Sequence, residues 1–168
     1  MNKNKAIALV SVSSAIFGLN VLFNVAPALA HHPNGGEIPS TFTQGLLSGS
    51  GHPVIGIDHL VFVIAIGLLA ALRPKLGMVI PTAFVVATAV GTIIHLQSVD
   101  LPAAELIISA SVLVMGIFLA QAKQTNIGIL AALGAIAGVF HGYAYGESIV
   151  GAETVALGAY MFGFCSIQ

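Results

Sequence analysis

The stretch "HPVIGIDH" at residues 52–59 places two histidines and an aspartate at the front edge of a long apolar run. Ionisable side chains are costly inside a membrane and by default mark a site or a conduction path. On one continuous helix, His52 and His59 would lie about 20° apart, because seven residues make nearly two full turns. Asp58 would then lie beside His59. The alternative to a functional site is a purely structural role, in which His52 is an interfacial residue and Asp58 pairs with a helix N-terminal amide.

Five other residues are candidates for the same chemistry. His141 and Glu147 lie near the end of a later apolar run, and we predict that they contribute to the same site. His95 ends another run and is a weaker candidate, since a histidine at a membrane boundary is often only an interfacial residue. His31 and His32 are also weaker candidates, because they form either a capture site or part of a flexible tail.

The combination of imidazole and carboxylate groups predicts a particular class of ligand. Such groups suit borderline divalent ions such as nickel, cobalt, zinc and copper(II). The soft ligands that favour copper(I) are absent from this set, and an all-oxygen site for magnesium or calcium would need more carboxylates. The residues therefore predict a site for a divalent transition-metal ion. The nearby Tyr143 and Tyr145 are interpreted as interfacial anchors rather than ligands.

The composition is that of a polytopic membrane protein. Hydrophobic residues make up 57% of the chain, charged residues only 7%, and the mean hydropathy is +1.01. An ordinary soluble domain has about 25% charged residues. A net charge of −1 leaves no basic face for nucleic acid, and the chain contains no ATP-binding P-loop motif. The lone Cys165 excludes an intrachain disulfide and any CxxC motif.

The N-terminus has the pattern of a secretory signal peptide. Lys3 and Lys5 precede an apolar stretch at 6–23, and Ala28-Leu29-Ala30 fits an A-x-A cleavage site. We predict a signal peptide at 1–30 and a single membrane domain at 31–168. The alternative is an uncleaved signal anchor, because the apolar stretch is long for a signal peptide.

Apolar runs of nearly membrane-spanning length predict an all-α fold, a polytopic bundle of about five transmembrane helices after the signal peptide. Pro53 is expected in the first turn of the first span, where its missing N–H is no loss. Glycine recurs every four residues in the fourth run, which favours close helix packing over backbone exposure to a pore. The last run is short and leaves open whether that span is truncated. The predicted spans are 54–72, 76–96, 103–121, 126–144 and 152–168.

The charges predict one orientation. If residue 31 lies outside the cytoplasm, Arg73, Lys75 and Lys123 all fall on the cytoplasmic side, as the positive-inside rule requires. Every histidine and every acidic residue then lies in the outer half. The candidate metal ligands are thus predicted to share one side of the cytoplasmic (inner) membrane.

Two motifs resemble those of a known family. "HPVIGIDH" at 52–59 resembles the HPxxGxDH signature of the HupE/UreJ family of nickel/cobalt permeases. "FHGYAYGE" at 140–147 is similar to that family's second signature, in which a further histidine often stands where this chain has Tyr145. The resemblance covers essentially the whole chain. The resemblance implies that five residues interact with the transported metal ion: His52, Asp58, His59, His141 and Glu147.

We therefore predict a secondary permease for nickel or cobalt ions rather than an enzyme. The ion would be cargo, with no permanently bound cofactor, and the surrounding lipid bilayer would be the main partner. The glycine stripe leaves open whether helices pack within one chain or between copies in a homo-oligomer. Two alternatives remain at this stage, namely a non-transporting metal-binding or assembly protein and an intramembrane metal-dependent hydrolase.

Overall fold

The fold is seen in a computed structural model, which describes residues 37–73, 75–121 and 125–168. The predicted signal peptide, His31, His32 and Lys123 lie outside these residues. The described residues form six α-helices without a β-strand. The helices are α1 (Phe42–Ile55), α2 (Ile57–Ala71), α3 (Val79–Leu96), α4 (Ala104–Ala120), α5 (Ile127–Glu147) and α6 (Thr154–Ile167).

The helices have the length and composition of a membrane bundle. Among the described residues, α3 and α5 are each long and apolar enough to cross a membrane. The bent pair of α1 and α2 passes the same test as one broken span, whereas α4 and α6 are apolar but shorter. The predicted all-α polytopic bundle is confirmed, and each of the five predicted spans corresponds to one helix, α2 to α6, although α5 extends three residues beyond the predicted end at 144.

A sharp bend between α1 and α2 corrects the predicted first span. Thr41 caps α1 by accepting a hydrogen bond from the Gln44 amide at 3.2 Å. Pro53 lies in the last turn of α1 rather than at the start of a span, and its missing N–H weakens the helix there. Gly56 then adopts an extended conformation, and the axis turns by 78°. His52 and His59 therefore lie on two helices, and the prediction of one shared helix face is wrong.

Glycines allow α3 and α5 to pack in backbone contact. A methyl group at Gly138 would lie 2.7 Å from the Phe84 carbonyl oxygen, and one at Gly142 would overlap the Thr88 backbone. The Thr92 hydroxyl crosses the same interface and donates to the Gly142 carbonyl at 2.8 Å. The packing interpretation of the glycine stripe is confirmed, since the stripe lies against a helix of the same chain.

The pair of α1 and α6 is equally close. Methyl groups at Gly45 and Gly49 would overlap the carbonyls of Ala156 and Tyr160. This contact holds α1 against the bundle, although α1 contains many small and polar residues. It thereby fixes His52, which lies in the last turn of α1, beside the start of α2.

Candidate functional site

The centre of the site is a pair of buried imidazoles from α2 and α5. Nδ1 of His59 lies 2.7 Å from Nδ1 of His141, and the exposed fractions of the two residues are 2% and 0%. At this distance one nitrogen carries a proton and donates while the other accepts. The structure thus brings together two predicted site residues that are 82 positions apart.

Ser111 of α4 determines where His141 carries its proton. The Ser111 hydroxyl lies 2.6 Å from the Ile108 carbonyl oxygen, which can only accept, so the serine proton points there. The serine oxygen then accepts a hydrogen bond from Nε2–H of His141 at 3.1 Å. A neutral His141 in this tautomer has its lone pair on Nδ1, and Nδ1–H of His59 is the donor in the pair.

His52 approaches this pair from α1. Its ring centroid lies 5.5 Å from that of His59, and only 2% of the residue is exposed. The Tyr160 hydroxyl donates to the Tyr145 carbonyl at 2.9 Å, so its oxygen accepts from Nδ1–H of His52 at the same distance. The lone pair of a neutral His52 is then on Nε2. His52 is buried within the bundle.

Tyr145 lies between the histidines, which corrects its interpretation as an interfacial anchor. Its ring centroid is 4.8 Å from that of His52 and 4.7 Å from that of His59. Tyr145 is fully buried, and its ring also packs against Phe164. Sequence reasoning missed this position because a tyrosine near a helix end is usually an interfacial residue.

The carboxylates gather at one end of the bundle. Oδ1 of Asp58 accepts a hydrogen bond from the backbone N–H of His59 at 2.9 Å. This is the pairing with a helix N-terminal amide that a purely structural role of Asp58 predicts. Glu105, at the start of α4, is close enough to Asp58 and Glu147 for their charges to interact. Glu147 is exposed, whereas Asp58 is 4% exposed. Glu105 is a further residue that sequence reasoning missed.

This acidic end lies opposite the basic end of the bundle. Arg73 follows the last turn of α2, about 22 Å from Asp58 at 1.5 Å per residue. The separation of acidic and basic residues that the sequence indicates is therefore also a separation along the helix axes.

His95 is a predicted site residue that lies apart from the histidine cluster, which consists of His52, His59 and His141. The His95 ring packs against Tyr143, at a centroid distance of 4.4 Å, on the side of α5 that faces α3. Within 37–73, 75–121 and 125–168, no group of three or more His, Cys, Asp or Glu side chains is arranged to hold one metal ion. The metal-binding role of the predicted residues therefore stays a prediction.

Comparison with known proteins identifies the family. The family described as HupE / UreJ protein matches residues 9–168, nearly the whole chain. The chain belongs to the HupE/UreJ family. The resemblance carried by the two motifs is thereby confirmed.

A curated relative supports the HupE/UreJ assignment. Protein HupE of Rhizobium leguminosarum bv. viciae is 30% identical over 121 residues. The alignment covers 71% of this chain and 61% of that protein, so the chain spans less than two-thirds of the length of its relative. No solved structure matches the chain significantly. As a HupE/UreJ protein with apolar, bundled helices, it is a membrane protein.

Proposed function

We propose that this protein is a secondary permease that carries nickel or cobalt ions across the cytoplasmic membrane. The observation that carries the proposal is the buried approach of His59 to His141, with their Nδ1 atoms 2.7 Å apart. A pair of imidazoles buried in an apolar bundle is difficult to explain by packing alone, because polar groups inside a membrane are costly. Membership of the HupE/UreJ family supports the same function.

The geometry of the pair suits two ligands of one metal ion. Metal–imidazole bonds of about 2.0–2.1 Å place two nitrogens at right angles about 2.9 Å apart. The observed spacing is close to that value. The hydrogen bond with Ser111 leaves the lone pair of His141 on Nδ1, which faces His59. Binding of a cation between them requires the His59 proton to move from Nδ1 to Nε2 and both rings to turn, so that the two Nδ1 lone pairs converge on the ion.

The carboxylates supply the electrostatic attraction. Asp58, Glu105 and Glu147 form a negative end, which we place on the outer face of the membrane, and they raise the local concentration of cations there. A hydrated ion then exchanges part of its water shell for imidazole nitrogen. The small number of protein ligands keeps binding weak enough for release.

The membrane potential can drive uptake without ATP. A divalent ion gains about 4.6 kcal/mol per 100 mV, which supports a concentration ratio on the order of 10³. The chain contains no P-loop motif, and none is needed for accumulation of this size.

Uptake of radioactive nickel and cobalt into proteoliposomes tests the proposal. With an inside-negative potential, the purified protein should accumulate the ion severalfold over empty liposomes, and dissipation of the potential should remove most of the gradient. Magnesium at the same concentration should not compete, because it prefers oxygen ligands. Binding without flux would instead indicate a non-transporting metal-binding or assembly protein and would contradict the proposal.

A substitution at Gly56 tests whether nickel binding depends on the position of the His59 ring. A methyl group at this position would lie 2.6 Å from Cδ2 of His59, whose ring is held between His52, His141 and Tyr145. We expect Gly56→Ala to weaken nickel binding roughly 10- to 100-fold, as loss of ligand orientation does in metal sites. Calorimetric titration of the protein in detergent measures the affinity.

Gly67→Ala is the matched control for this change. It lies on α2, and an added methyl group would meet nothing within 4 Å among the described residues. Nickel affinity should therefore be unchanged in Gly67→Ala. Equal affinities of Gly56→Ala and Gly67→Ala would show that the position of His59 does not matter for binding.

A further inference from the structure

Arg73 is a buried cation at the basic end of the bundle. It follows the last turn of α2, yet only 8% of the residue is exposed. An arginine at a membrane boundary usually extends its charged group toward water. Arg73 instead turns back along its own helix, and its Nη1 donates a hydrogen bond to the Leu69 carbonyl oxygen at 2.9 Å. A structural role as a cap of the helix C-terminus accounts for this one hydrogen bond.

The cap leaves a second edge of the guanidinium, which is formed by Nε–H and Nη2–H. Nε is buried and has no hydrogen-bond partner among the residues that the structure describes. Every Asp and Glu of the chain lies within those residues, and none of them lines the cavity that Arg73 borders. A buried charge whose partner is a neutral carbonyl is costly, so this edge points to an anion from outside the chain.

The cavity beside Arg73 combines two basic side chains with a mainly apolar lining. Its volume is about 460 Å³, and Arg73 and the exposed Lys75 both line it. Most of its other lining residues are small or apolar and belong to α2 and the start of α3, among them Gly67, Ala70 and Pro81. An inorganic anion would occupy only the basic part of this space. An amphiphilic anion would fill both parts.

We propose that this cavity binds an anionic phospholipid. The phosphate receives a bidentate contact from the Nε–H and Nη2–H edge of Arg73, which suits the geometry of phosphate oxygens. Lys75 supplies a second positive charge, and one acyl chain begins along the apolar lining. Basic pockets between membrane helices are a known mode of binding for such headgroups. The lipid site goes beyond the proposed transport function and does not depend on it.

Native mass spectrometry of the purified protein in detergent tests the lipid site. With equal amounts of phosphatidylglycerol and phosphatidylcholine of the same acyl chains, the protein should retain roughly tenfold more phosphatidylglycerol, because two basic residues lie near the headgroup. Arg73→Gln removes the charge and keeps an N–H that can reach the Leu69 carbonyl. This variant should lose most of the preference. Equal retention of both lipids, or an unchanged preference in Arg73→Gln, would overturn the proposal.

A pair of glycine substitutions tests the position of the lipid without changing any charge. Gly67 and Gly158 both lie on helices where an added methyl group would meet nothing within 4 Å among the described residues. Gly67 lines the cavity and Gly158 does not. Gly67→Leu should therefore reduce the retention of phosphatidylglycerol severalfold, whereas Gly158→Leu should leave it unchanged. Equal retention in these two variants would show that the cavity does not hold the lipid.

Thermal unfolding in detergent distinguishes the lipid from other occupants. Phosphatidylglycerol should raise the midpoint of unfolding, because a ligand that binds only the folded state stabilises it, and inorganic phosphate at the same concentration should not. An equal rise with phosphate that persists in Gly67→Leu would assign Arg73 to a free anion and overturn the lipid site. A dimer that retains no phosphatidylglycerol would assign the cavity to a second copy of the chain and would also overturn it.

Discussion

Replacing His59 by alanine is expected to reduce nickel uptake at least about 100-fold, beyond the usual loss when only an outer-shell partner of a metal ligand is removed. His59 contacts both other imidazoles of the cluster, since its Nδ1 lies 2.7 Å from His141 and its ring 5.5 Å from that of His52. Its removal leaves His141 without a neighbouring nitrogen donor. Initial rates of nickel uptake into proteoliposomes, normalised to the amount of folded protein, measure the effect.

The pair should also behave as one unit. His141→Ala is expected to match His59→Ala, and the double variant should transport no more slowly than either, because removing one member of a pair already destroys it. His95→Ala is the control, since the structure places that histidine against Tyr143 and apart from the cluster. Full uptake in His59→Ala, or an equal loss in His95→Ala, would contradict the assigned site.

Replacing Gly142 by alanine is expected to be the most destabilising small substitution in the membrane core. The added methyl group would overlap the carbonyl, and lie 2.5 Å from the Cα atom, of Thr88 on α3. Backbone cannot move aside as a side chain can, so α3 and α5 must separate. Overpacking of this kind costs about 1–3 kcal/mol. The midpoint of thermal unfolding in detergent should fall clearly, and uptake should fall with it because His141 precedes Gly142.

Gly158→Ala on α6 provides the control for that substitution. An added methyl group there would meet nothing within 4 Å among the described residues. Alanine also has a higher helix propensity than glycine, by about 1 kcal/mol in peptides. Gly158→Ala should therefore be as stable as the unsubstituted protein or slightly more stable. A stable Gly142→Ala would mean that the close contact of α3 and α5 is not required.

The sequence predicts the positions of the helices well because apolar runs and polar turns alternate clearly along the chain. The predicted spans at 76–96 and 103–121 contain α3 and α4 with differences of at most three residues at either end. The glycine stripe predicts close packing for the same local reason. A residue without a side chain, repeated every turn, can serve few purposes in an apolar helix.

The bend between α1 and α2 could not be predicted in the same way. The segment 42–55 is rich in glycine and serine, and its contact with α6 depends on residues more than 100 positions away. Pro53 suits either the start of a helix or a weakened last turn, and only the tertiary contacts decide between them. The two histidines of the first motif nevertheless meet, because the bend folds α1 back beside the start of α2.

The role of the residues that orient the histidines also could not be predicted from the sequence. Ser111 is one hydroxyl in an apolar run, and Tyr160 is one of several aromatic residues in the last apolar run. Their roles depend on hydrogen bonds that cross between helices, at 3.1 Å from Ser111 to His141 and at 2.9 Å from Tyr160 to His52. Residue type alone indicates the ligands of a site better than it indicates the groups that hold those ligands in place.

X-ray absorption spectroscopy of the nickel-loaded protein tests the central claim, that the buried imidazoles bind the transported ion. The account predicts at least two imidazole nitrogens at about 2.0–2.1 Å from the metal, with the remaining positions filled by oxygen. In His59→Ala, the same spectrum should show at least one imidazole fewer at matched loading. A nickel environment of oxygen ligands alone, or a spectrum that His59→Ala leaves unchanged, would contradict the account.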